Sequence, residues 1–151
     1  MGGIYMKKIM TLMLSLAIVF LLTGCEKSDK PADMSNVKID YGTSSVYSKK
    51  DMDDAIDVIK EHFSHLDGCV LHSLSYTSDE ECTDDENIAW LNEIKRANDN
   101  EEVFTQYIAF DSSFHSPLKG DVSWNLDEEY TWSWCLGRSE GGKWKLVDWG
   151  Y

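Results

Sequence analysis

Residues 129–151, EYTWSWCLGRSEGGKWKLVDWGY, contain the clearest strand pattern of the chain. Tyr130, Trp132 and Trp134 alternate with small or polar residues, a pattern typical of an antiparallel strand with one buried face. The SEGG segment between the two apolar runs supplies the glycines that a tight turn needs, so it predicts a β-hairpin. We therefore expect the chain to end in two antiparallel strands, 129–138 and 143–151.

Two helices are predicted upstream of this hairpin. Ser48 with Asp51 three residues later resembles a capping box, and apolar residues follow at helical spacing as far as Leu66. Thr83 and Glu86 form a second candidate capping box, which opens a shorter helix. The first helix is the longer of the two, and its apolar stripe must be buried against another element.

Two more strands are predicted over residues 69–77 and 102–111, where apolar and polar side chains alternate. Helix, strand, helix and three further strands form an α+β pattern. The expected fold is a single α+β domain over residues 47–151. A curved antiparallel four-stranded sheet packs on one long amphipathic helix, accompanied by a second short helix.

The N-terminal segment predicts the location of the protein rather than its fold. Leu22-Thr23-Gly24-Cys25 ends an uncharged apolar run that two lysines precede, and the run is shorter than the roughly 20 residues of a membrane span. This pattern resembles the lipobox of bacterial lipoproteins. The resemblance implies a signal peptide over residues 1–24, which forms a signal helix and is removed. It also implies a lipid anchor, such as palmitate, at Cys25, on the extracytoplasmic face of the cell membrane.

Residues 25–46 are polar and contain serine, glycine, threonine and proline, a composition that favours a flexible tether. A random coil of this length has a root-mean-square reach of roughly 25 Å. The tether would therefore lift the domain away from the lipid head groups.

The charge balance limits the partners. The chain carries 14 Lys and Arg against 27 Asp and Glu, a net charge of −13. Removal of the signal also removes Lys7 and Lys8, which makes the mature charge −15. A surface this acidic repels anionic lipid and nucleic acid, so nucleic-acid binding is not expected. The membrane is expected as a partner only through the lipid on Cys25, and no cofactor is predicted.

The closing GKWKLVD strand, residues 142–148, and the order of the elements resemble the nuclear-transport-factor-2-like (cystatin-like) domains of small bacterial lipoproteins. If Asp148 faces inward with Leu146, its carboxyl group lies in an apolar cavity that raises its pKa. With His72 it would form an acid–base pair like those of the isomerases and dehydratases of this group. Alternatively, Asp148 is a strand-end residue bonded to its neighbours and His72 has a satisfied polar tip.

The large aromatic residues have two interpretations. Tyr107, Trp132 and Trp134 could line a pocket for an apolar or sugar-like ligand, or they could fill the core, as aromatic stripes at strand spacing usually do.

The remaining cysteines and histidines predict no metal site. Cys69 and Cys82 flank a predicted strand and loop, so a local disulfide and free thiols both stay open. His62 and His65 lie three residues apart on the first helix, but no third ligand is spaced to complete a site. The acidic runs 79–81 and 84–86 lack the spacing of a calcium-binding loop.

Taken together, these features predict a membrane-anchored extracytoplasmic lipoprotein whose domain binds a ligand or protein without catalysis. No motif for a serine hydrolase, phosphate-binding loop or active thiol is present in the sequence. The alternative is a small pocket enzyme with acid–base chemistry on a nuclear-transport-factor-2-like cone. An open cavity holding Asp148 and His72 would favour the enzyme, and a face plugged by Phe63 and the Trp residues would favour the binding domain.

Overall fold

The computed structural model describes residues 30–97, 103–120 and 122–151. The predicted signal peptide, residues 1–24, and Cys25 lie outside these ranges. No helix within the described ranges is both long and apolar enough to cross a bilayer.

Five strands in the described ranges form one sheet. They are β1 (Lys38–Asp40), β2 (Val70–Tyr76), β3 (Gln106–His115), β4 (Glu129–Arg138) and β5 (Lys145–Gly150). Their spatial order is their chain order, from β1 at one edge to β5 at the other. β1 runs parallel to β2, whereas the other neighbouring pairs are antiparallel, so the sheet is mixed.

Three helices accompany this sheet in the described ranges: α1 (Lys49–Phe63), α2 (Asp79–Cys82) and α3 (Asp85–Ala97). α1 begins at the predicted capping box, in which the Ser48 side chain accepts from the Asp51 amide and the Asp51 carboxylate accepts from the Ser48 amide. Its buried residues recur at intervals of three or four, the spacing of one helix face. They are Met52, Ala55, Ile56, Ile59 and Phe63.

The predicted architecture is wrong in its strands and in its helices. The sheet has five strands instead of four, and β1 makes it mixed instead of antiparallel. The helical part is not one long helix with a short companion, because α3 has 13 residues against 15 for α1, and α2 adds a third helix of one turn. The second capping box is also wrong: Thr83 ends α2, and Asp84 accepts from the Glu86 amide at the start of α3.

The larger correction concerns the predicted tether, since much of residues 30–46 belongs to the fold. The Asp33 amide donates to the Cys69 carbonyl and the Leu71 amide donates to the Asp33 carbonyl, each at 2.8 Å, and β1 follows five residues later. Further along, the Ser45 amide and hydroxyl donate to Asp79 at 2.7 and 2.9 Å. Side-chain and backbone hydrogen bonds from Ser44 and Ser45 hold the pKa of Asp79 at about 2.

The predicted C-terminal hairpin forms, although its second strand spans Lys145–Gly150 and not residues 143–151. β4 covers residues 129–138, and the Gly142 amide donates to the Ser139 carbonyl at 2.8 Å to close the turn. Gly141 has φ +70°, a backbone conformation that non-glycine residues rarely adopt, so this position requires glycine.

The sheet has an inner face, which packs on α1, and an outer face turned away from it. On the inner face, the Phe63 ring lies edge-on to Phe114 with 5.6 Å between ring centroids, and it lies 6.3 Å from Trp134. α3 covers one end of the outer face: a Cβ on Gly137 of β4 would come within 2.5 Å of the Leu91 side chain. The other end of the outer face is left open to solvent.

Candidate functional site

The inner face of the sheet is filled with side chains. Trp134 is fully buried and Trp132 is 7% exposed, and their rings lie 6.0 Å apart. The Trp134 Nε1 donates to the Ser112 Oγ at 2.9 Å, and this hydroxyl donates to the Trp132 carbonyl at 3.1 Å. These two tryptophans, considered above as ligand-binding residues, are therefore core residues, and the Trp134 indole has a polar partner inside the core.

Tyr107, the third aromatic residue considered for that pocket, lies on the other side of the sheet. It is opposite Gly137, next to Cys135, and is buried. Its hydroxyl is 3.4 Å from the Cys135 sulfur and donates to Glu81 at 3.4 Å. Because neighbouring strand positions face opposite sides, Tyr107 cannot share a pocket with Trp132 and Trp134.

Asp148 does not face the core. Leu146 lies opposite Leu136, but Asp148 lies opposite Cys135, so β5 carries one extra residue, Val147. This β-bulge interrupts the alternation and turns Asp148 to the outer face, where it is exposed. The expectation that Leu146 and Asp148 share one face is therefore wrong.

Asp148 and His72 are also far apart. Asp148 aligns through Cys135 with Ala109 of β3, while the residue before His72 aligns with Phe114. Five residues along a strand span roughly 16 Å. The structure does not bring the two side chains together, and both are exposed.

The cysteines at positions 69, 82 and 135 are free and buried. Cys69 and Cys82, for which a disulfide was one of two interpretations, are therefore not paired. Burial raises the pKa of the Cys69 thiol to about 11 and also raises that of Cys82 and Cys135. Thiols of this kind are poor nucleophiles near neutral pH.

The open end of the outer face carries a cluster of two imidazoles and a carboxylate, which we call the histidine cluster: His72, His115 and Glu129. His115 ends β3 and lies directly opposite Glu129, the first residue of β4. His72 lies in β2 at a register shift between Leu71 and Ser73. Such a bulge can redirect a side chain, and here the His72 ring extends across β3 toward β4.

The distances within the histidine cluster are short. The His115 Nδ1 donates to the Glu129 Oε1 at 2.8 Å, and the His72 Nε2 is 3.3 Å from the same oxygen. One ligand atom from each of the three residues lies within 4.8 Å of the other two. The His115 side chain is 30% exposed, His72 44% and Glu129 64%, so solvent reaches all three.

Asp127 holds His115 from the opposite edge of its ring. The His115 Nε2 donates to the Asp127 Oδ1 at 2.9 Å. Asp127 itself is fixed by its amide, which donates to the Pro117 carbonyl at 3.1 Å, and it has φ +58°, a conformation that aspartate tolerates better than most residues. The two carboxylates raise the pKa of His115, and the hydrogen bond from His115 lowers the pKa of Glu129.

Two grooves flank the histidine cluster. His72 lines one of about 430 Å³ with Lys38 and Ser113, and His115 lines one of about 590 Å³ with Leu118 and Lys119. Asp33 lines both grooves, so the segment around Asp33, which joins the edge of the sheet, lies between the two grooves.

The other histidine pair does not form a comparable site. The His62 ring lies 4.2 Å from the Trp149 ring and 6.1 Å from Trp134, and burial lowers its pKa. His65 follows the end of α1 and is exposed. Within the described ranges, the histidine cluster is the group of His, Cys, Asp and Glu side chains close enough to hold a metal ion.

Sequence reasoning missed this cluster because its members are 14 to 57 residues apart in the chain. His115 and Glu129 lie at strand ends, and only the β3–β4 register shows that they are neighbours. Neither His72 nor Glu129 belongs to a motif with fixed spacing.

The comparisons with known proteins give no family. A scan against family models matches none, and searches of curated proteins and of solved structures find no match. Function must therefore be argued from the chain itself.

Proposed function

We propose that this chain is a lipid-anchored extracytoplasmic lipoprotein whose folded domain binds a ligand without catalysis. The observation that carries the non-catalytic part is the filled inner face of the sheet. Phe63, Trp132 and Trp134 occupy the space that a conical enzyme pocket would need. The acid–base pair that the alternative requires is split between distant, exposed positions.

The anchor part of the proposal depends on the lipobox at residues 22–25. Since the mature chain is strongly acidic, its surface gives it no attraction to an anionic membrane, and the lipid on Cys25 is the means of attachment. Binding is assigned to the open outer face, which carries hydrophilic side chains in register across three strands. They are Ser73, Ser75, Asp111, Ser113, Thr131 and Ser133.

Metabolic labelling with a palmitate analogue tests the anchor. We expect the wild-type chain to take up the label and to sediment with membranes, and Cys25→Ser to lose both properties. Cys69→Ser is the matched control: its thiol is buried, so this variant should keep the label. Label retained by Cys25→Ser, or lost from Cys69→Ser while the chain is still exported, would refute the anchor.

A further inference from the structure

We infer that His72, His115 and Glu129 form a binding site for a divalent transition-metal ion of the Zn²⁺ class. This inference rests on the proposed function, because it names the ligand that the anchored domain binds. Two imidazole nitrogens and one carboxylate oxygen are a ligand set that zinc accepts, with the remaining position open to water or to a group of the binding partner. Calcium and magnesium prefer oxygen ligands alone and are not expected here.

The separation of the ligand atoms suits this ion. A zinc ion about 2.0–2.2 Å from each ligand brings neighbouring ligand atoms to roughly 3.4 Å in a tetrahedron. The His115 Nδ1 and the His72 Nε2 already lie 2.8 and 3.3 Å from the Glu129 Oε1. All three ligand atoms lie within 4.8 Å of one another, and His72 and Glu129 are exposed, so rotation of these two side chains would bring the atoms to the distance that zinc needs. No change in the backbone register is needed.

The bond between Asp127 and His115 also supports a metal site. Metal-bound histidines usually donate their other ring N–H to a carboxylate or carbonyl, which fixes the ring and its tautomer. The His115 Nε2 makes this bond to the Asp127 Oδ1 at 2.9 Å, which leaves Nδ1 directed at Glu129 and at the metal position. Asp127 is therefore a positioning residue.

Metal binding at this site displaces a proton. In the metal-free cluster, His115 is flanked by two carboxylates, and an imidazolium donating from both nitrogens satisfies both. When the ion binds, the Nδ1 proton leaves to solvent and the Nδ1 lone pair binds the metal. The Nε2–H bond to Asp127 is unchanged.

Isothermal titration calorimetry of ZnCl₂ into the full-length chain in detergent tests the inference. We expect one ion per chain. His72→Gln and Glu129→Gln should each weaken zinc binding at least tenfold, and Asp127→Asn should weaken it by about 10- to 100-fold. His65→Gln is the matched control, since it removes an exposed histidine outside the cluster, and its affinity should equal that of the wild type.

X-ray absorption of the zinc-loaded chain gives a readout that does not depend on variants folding. Two imidazoles with oxygen ligands support the site, and sulfur ligation or no histidine ligation overturns it. Unchanged affinity in correctly folded His72→Gln and Glu129→Gln also overturns it. Failure of zinc binding with intact palmitate labelling refutes the metal site alone, whereas loss of the anchor with normal zinc binding refutes only the anchor.

Discussion

His115 is the residue whose protonation most directly reports on the histidine cluster. Its folded pKa is raised by hydrogen bonds to Asp127 and Glu129 above the ordinary value of 6.5. A raised histidine pKa stabilises the fold below the unfolded value, and this stabilisation is lost as pH rises through the folded value. We therefore expect the free energy of unfolding contributed by His115 to decrease above about pH 6.5.

The measurement compares urea unfolding of the wild type and His115→Gln at pH 6 and pH 8.5, without metal. The difference between the two proteins should be larger at pH 6. Glu129 has a lowered pKa, so its own contribution is lost at the acid end, as pH falls through its folded value. A wild-type advantage that grows toward pH 8.5 would contradict the ion-pair geometry assigned to His115.

At the scale of the elements, Gly137 marks the contact between β4 and α3. An added Cβ would meet the Leu91 side chain at 2.5 Å and the Phe104 ring at 2.6 Å, closer than packed side chains tolerate. Gly137→Ala should therefore destabilise the domain by about 1–3 kcal/mol through overpacking. Chemical unfolding measures the loss, with Ser133→Ala, exposed on the same strand, as the control. A neutral Gly137→Ala would show that α3 does not lie on this strand.

Hydrogen exchange tests whether the segment that contains β1 is part of the sheet. The amides of Asp33 and Leu71 are hydrogen-bonded across the join between residues 30–40 and β2. Hydrogen exchange of both amides should be slowed to a degree that a flexible tether cannot produce. The Asn36 amide, which lies in an exposed turn between Asp33 and β1, serves as the internal comparison. Exchange at the Asp33 amide as fast as in an unstructured peptide would restore the tether interpretation.

The features that sequence reasoning predicts correctly are local. The capping box needs only Ser48 and Asp51, and the hairpin turn needs only Ser139 to Gly142, so each is specified by a few consecutive residues. β1 was not predicted because it has three residues, KID, in a polar segment, and its parallel pairing with β2 is non-local. Its formation depends on a partner strand that begins 30 residues later in the chain.

The side on which a residue lies is harder to predict than the strand to which it belongs. One extra residue, Val147, moves Asp148 from the core to solvent, and nothing in the sequence marks a bulge there. The bulge beside His72 likewise brings that ring toward Glu129. The wrong face predicted for Asp148 and the missed contact between His72 and Glu129 thus both arise from strand register, which is set by tertiary packing.

For the whole molecule, the connection between Cys25 and the sheet is shorter than the predicted tether, because Asp33 already bonds to the sheet. This changes where the domain lies relative to the proposed anchor. Seven residues, 26–32, separate Cys25 from Asp33. A fully extended chain of this length reaches at most about 25 Å. Asp33 bridges to Val70, and Val70 lies opposite His115. The proposed anchor would therefore hold the end of the sheet that carries the histidine cluster toward the membrane.

We propose that ligand binds on the open outer face of the sheet and not inside the filled inner face. The most direct measurement is nuclear magnetic resonance of the isotope-labelled full-length chain in detergent during a zinc titration. We expect the chemical-shift changes to be concentrated at His72, His115 and Glu129, with the indole signals of Trp132 and Trp134 unmoved. Shifts concentrated at those indoles, with the three cluster residues unchanged, would contradict it.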